Sequence, residues 1–138
     1  DNALNDLQIQ ECAMTHASLL LLDDADFAPE HYMPPVEKIL HGQPSQTVWM
    51  HYSDPTGQFH VGVWRGEIGK WHIRYTEEEW CELLAGESVV CDLDGQCTHL
   101  RPGMRFVIPR GFVGTWEVLQ PTTKRFVIYE RSDASEKG

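Results

Sequence analysis

His72, Arg74 and Glu79 are the residues of this chain whose types and spacing best suit chemistry. On a strand, successive side chains alternate faces, so an imidazole two positions from a guanidinium shares its side. His72 is expected to orient a ligand or shuttle a proton, and Glu79 to act as general base if burial raises its pKa. Arg74 offers a fork of donors that grips a carboxylate or phosphate bidentately. A guanidinium also stays protonated and has no lone pair for a metal. That leaves His72 and Glu79 as two ligands where a catalytic zinc centre takes three from protein. No full metal site is predicted, and any divalent ion would need rescue from Cys81, Glu77, Glu78, His51 or His60.

The element that carries these groups reads in two ways. Lys70, His72, Arg74 and Thr76 share one side of the strand, and Trp71, Ile73 and Tyr75 share the other. By patterning alone the aromatic side is core and His72 is solvated. Around this strand the pattern is β throughout, with strands expected at 47–52, 59–64, 70–76, 79–84, 88–91, 96–100, 104–108, 113–119 and 124–130. Turn chemistry separates them: Asp54-Pro55-Thr56-Gly57, Asp94-Gly95, Pro102-Gly103, Pro109 with Gly111, and Gln120-Pro121. Many short strands at that pitch predict a β-sandwich or small barrel. Residues 1–46 read as a leader and arm packed on the barrel, 47–130 as the barrel and 131–138 as a tail. Val36 to Leu40 is expected to form a helical turn after Pro34-Pro35.

A chain of 138 residues with 41% hydrophobic content suits one domain with one core. The formal net charge of −10, from 21 acidic against 11 basic residues, argues against nucleic acid or an anionic membrane as partner. The apolar run Leu19 to Leu22 is far short of the roughly 20 residues that span a bilayer. Cys12, Cys81, Cys91 and Cys97 have no zinc spacing. If Asp94-Gly95 makes a two-residue hairpin turn, Cys91 and Cys97 fall on opposite faces and a bridge is not expected; a three-residue loop would bring them diagonally onto one face. Reduced thiols and a reducing cytoplasm are the expectation.

Two separated blocks resemble the cupins. The first has Gly66, His72, Arg74, Glu79 and Gly86 in the family's glycine, His-any-His, Glu, glycine spacing; the second has Gly103, Pro109, Gly111 and Gly114. More narrowly, Gly62-Val63-Trp64, Gly69-Lys70-Trp71, Glu79-Trp80-Cys81, Gly86-Glu87 and the stretch from Pro109 to Glu117 are similar to the small cupins grouped with ureidoglycine aminohydrolase and the ethanolamine-utilisation cupin. The resemblance implies an all-β fold, a double-stranded β-helix or jelly-roll-like barrel with an N-terminal arm. In such a barrel the His-bearing side faces the cavity, so His72, Arg74 and Glu79 are expected inside. The Trp71, Ile73 and Tyr75 side would then need cover from the arm or from a second subunit, which predicts a homodimer. Two metal-binding positions of the wider family are here Arg74 and Gly114. Trp116, two residues after Gly114, is expected to fill the space of the missing third His, with Tyr129 closing the far side and Cys81 beside Glu79 as a small buried group. The implied function is a small-molecule-binding cupin that grips a carboxylate-bearing ligand through Arg74, Trp116, Tyr129 and Cys81, without a cofactor. The alternative the resemblance implies is a manganese-dependent aminohydrolase acting on a ureido or amino acid derivative.

Overall fold

A computed structural model describes residues 17–132; residues 1–16, with Cys12, and residues 133–138 lie outside the described residues. Among the described residues nine strands follow one another: β1 (Glu30–Tyr32), β2 (Ile39–Gly42), β3 (Gln46–Ser53), β4 (Phe59–Gly66), β5 (Gly69–Arg74), β6 (Glu78–Asp92), β7 (Cys97–Leu100), β8 (Arg105–Ile108) and β9 (Val113–Tyr129). Single 3-10 turns occur at Asp24–Asp26 and Val36–Lys38, the second within the stretch where a helical turn was expected. Among the described residues no helix is long and apolar enough to cross a membrane.

Two strands are much longer than the patterning suggested. The strands expected at 79–84 and 88–91 are one strand, β6, and those at 113–119 and 124–130 are one strand, β9. Each runs through a bend instead of stopping at it. Successive register shifts in β6 between Leu83 and Ser88 face the Gln120-Pro121 stretch of β9, and such bulges bend a strand without ending its pairing. Gly86 is what lets the two bends nest. Its φ is +88°, and a Cβ there would lie 2.0 Å from the Pro121 carbonyl oxygen.

Because β6 and β9 are shared, they join two layers. The first runs β1-β3-β4-β9-β6-β8, using the C-terminal half of β9 and the N-terminal half of β6; the second runs β2-β5-β9-β6-β7, using the other halves. All pairings are antiparallel. The inner faces enclose Trp64, Trp71, Leu83, Leu100, Ile108, Trp116, Val118 and Phe126. This is the predicted all-β, jelly-roll-like curled barrel.

The disulfide expectation is corrected. Cys91 and Cys97 are bonded, and they sit directly opposite each other in the β6–β7 register. Asp92 N–H donates to Gln96 O, which closes a three-residue loop at Leu93-Asp94-Gly95, the second of the two turns considered. That loop brings both thiols to one face, directly opposite each other and not diagonal.

Candidate functional site

The parity of β5 is opposite to the one expected from the resemblance. Trp71 is buried and Ile73 and Tyr75 are partly buried, whereas His72 and Arg74 are exposed. The register decides it: Trp71 pairs with Trp116 across β9, and His72 pairs with Thr115. Trp71 and Trp116 therefore share the inner face, and their rings lie 6.4 Å apart. Turning His72 and Arg74 inward would have exposed three large apolar side chains, and a one-residue slip flips every side chain of a strand. The apolar face on which the homodimer expectation rested is inside the barrel.

A cavity of about 340 Å³ opens between the layers. Its aromatic wall is Trp64, Trp71, Tyr75 and Trp116, with Tyr32 of β1 at its rim. Trp116 is where it was expected, and its indole N–H donates to Ser88 Oγ at 3.1 Å. Trp64 donates to Gln46 Oε1 at 2.9 Å. Tyr129 is 49% exposed and points away, because its neighbour Ile128 takes the inner parity of β9.

At the foot of this cavity lies an ion pair that contains only one of the expected charges. Glu79, 5% exposed, meets Lys124 Nζ at 2.9 Å through Oε2. Lys124 is 4% exposed and also stands over two indoles, 4.5 Å from the Trp116 ring centre and 5.0 Å from that of Trp64. Such cation–π contacts strengthen when desolvated. Burial opposes the charge on Lys124, but the Glu79 carboxylate outweighs it and holds the ammonium well above the ordinary lysine range. Cys81, fully buried beside Glu79 as expected, donates its thiol to Oε2 at 3.4 Å. Burial pushes that thiol up to about 12 against the pull of Lys124, so it is not a nucleophile at neutral pH. Burial raises Tyr75 as well, with Glu79 adding to the shift.

A permanent cation inside the barrel was thus expected, and one is there, but it is Lys124 and not Arg74. The sequence signal was available. Lys124, Phe126 and Ile128 share a parity, and a charge on an apolar stripe needs a buried partner; the competing stripe of Arg125, Val127 and Tyr129 looks just as apolar, which is why the pattern alone does not choose.

The pocket residues do not fit a divalent metal. The one carboxylate among its described lining residues already holds an ammonium, and burial holds the neighbouring Cys81 thiol in its protonated form at neutral pH. Among the described residues no group of three or more His, Cys, Asp or Glu side chains is placed to hold an ion. The space of the missing third His cannot be refilled either, since a Cβ on Gly114 would lie 1.9 Å from the Cys91 carbonyl oxygen.

The profile of the EutQ-like cupin domain matches residues 53–126. No curated protein matches the chain. Among solved structures it is similar to the Clostridium difficile EutQ protein, with 12% identity over 80% of this chain and 81% of that one, at a TM-score of 0.59. A predicted oxalate decarboxylase from Thermotoga maritima aligns at 14% identity over 81% of this chain and all of that one (100%), with a TM-score of 0.64. Ectoine synthase from P. lautus aligns at 11% identity over 86% and 84%, with a TM-score of 0.63. At these identities the likeness concerns the fold, and the names differ too widely to carry an activity over.

Proposed function

We propose that this chain, which belongs to the EutQ-like cupin domain family, is a small-molecule-binding cupin whose barrel takes a carboxylate attached to a flat apolar body. The observation that carries the reading is Lys124, an ammonium held protonated at the foot of an indole-walled cavity. An ammonium has three donors, and Glu79 accepts from one of them. A ligand carboxylate would take the same cation, sharing or displacing Glu79, while Trp64, Trp71 and Trp116 cover its apolar part. Cavities of this kind bind through broad apolar contact and a few placed polar groups. A cationic ligand is disfavoured because Lys124 already occupies the aromatic faces. A metal-dependent hydrolase is not supported by the donor set, and no step of that kind is derived.

Benzoate and its neutral counterpart benzyl alcohol test the reading by titration calorimetry. Benzoate is expected to bind at least about tenfold tighter, a difference of about 1.4 kcal/mol. The paired replacement Lys124→Met with Glu79→Gln keeps the pocket neutral and should abolish that preference while leaving benzyl alcohol unaffected. Equal binding of the two probes by the unmodified chain, or a preference that survives the replacement, would overturn it.

A further inference from the structure

A second group of cations lies outside the barrel interior, at the end where the β5–β6 turn, the turn before β9 and the end of β9 meet. Arg74, Arg110 and Arg131 line one cleft of about 270 Å³ together with Thr76, Val113 and Glu130. Three of the chain's 11 basic residues therefore line one cleft in a protein whose formal net charge is −10. Among the described residues one carboxylate, that of Glu130, lines the same cleft, and it already accepts from Thr76 Oγ1 at 2.9 Å. Glu78 stands nearby but takes the backbone N–H of Arg110 at 3.2 Å.

Guanidinium groups brought together repel one another unless an anion lies between them. Arg110 and Arg131 have other partners, and a guanidinium with its five donors can meet an anion alongside another partner. The turn itself contributes no backbone donors, because Gly111 N–H donates to Tyr75 O and Phe112 N–H to Pro109 O. Recognition here would fall to the side chains.

We propose that this cleft is an anion site for the phosphoryl group of a small molecule, separate from the carboxylate pocket between the sheets. Two oxygens of a carboxylate satisfy a single fork, whereas a phosphoryl dianion presents three terminal oxygens to three forks. The volume limits the ligand's size: it lies just under the roughly 300 Å³ at which small-ligand pockets begin. A phosphorylated fragment fits, and a nucleotide does not. Arg74, which has no place in the barrel interior, gains one here.

Titrating the full chain with inorganic phosphate at a pH well above its second ionisation, about 6, tests the assignment. Saturable binding is expected, weakened at least about tenfold by Arg74→Gln and by Arg110→Gln, and weakened by added sodium chloride. In the unmodified chain, the Nε–Hε resonance of Arg74 should shift along the same binding curve, a readout that needs no variant to fold. Saturating benzoate should leave phosphate binding unchanged, so failure here is distinguishable from failure of the barrel pocket. No saturable binding by ~10 mM, an unmoved Arg74 resonance, undiminished binding by Arg74→Gln, or tighter binding of malonate than of phosphate would each overturn the proposal.

Discussion

At the scale of single residues, Lys124 and Glu79 are each other's chief counter-charge, so single and double replacements should diverge. Lys124→Met alone strands a buried carboxylate and should cost about 3–5 kcal/mol in denaturant unfolding, whereas replacing both charges by apolar groups should recover most of that loss. Cys81 carries a separate alkaline signature. Its folded pKa of about 12 lies above the ordinary 9.0, so the unfolded chain sheds this proton first and the native state loses stability between those values. The unfolding free energy should fall by about 1.4 kcal/mol in all between pH 8 and 10, and Cys81→Ala should flatten that slope. Tyr75, above its ordinary 10.0, and Lys124, above its ordinary 10.5, work in the same direction at higher pH, because the folded values of both are raised. The sequence placed Glu79, Cys81 and Trp116 on the inner surface. It misplaced His72, Arg74 and Tyr129 because the motif spacing was read one residue out of phase with the aromatic alternation, and packing of Trp71 against Trp116 settles that phase.

At the scale of elements, the turn residues located the strands from β3 onward but divided β6 and β9 in two, and they gave no sign of the short β1 and β2. Gly86 and Pro121 look like breaks in a linear pattern, yet they mark a bend where two long strands cross closely. Gly86→Ala should therefore do more than remove flexibility: its methyl meets backbone at 2.0 Å in a left-handed conformation, and a loss of at least about 2–3 kcal/mol, read by thermal unfolding, is expected. Gly114→His should fail for a related reason. The imidazole cannot enter where the Cys91 carbonyl already lies, so the variant should misfold or unfold early and not gain a third ligand. Neither clash is visible in a sequence, because both depend on which backbone from another strand lies opposite.

For the molecule as a whole, the β6–β7 hairpin is closed by the Cys91–Cys97 bond, which a two-residue turn would not have brought into direct register. Cross-linking so short a loop stabilises by about 2 kcal/mol in the chain-entropy account. Reduction with a dithiol, or paired replacement of Cys91 and Cys97 by Ser, should lower the thermal midpoint by several degrees and leave Cys81 unreactive at neutral pH. Fold class and the two-block glycine framework were legible from the sequence because turns and alternation are local. The positions of the charges were not, since they depend on pairing between strands far apart in the chain. The buried pair between the sheets has one more effect. An incoming carboxylate that captures the Lys124 ammonium must share or displace the Glu79 contact, so one charged pair gives way to another. Uptake would then be an exchange of counter-ions on a single cation, with little net gain of charge contacts inside the barrel.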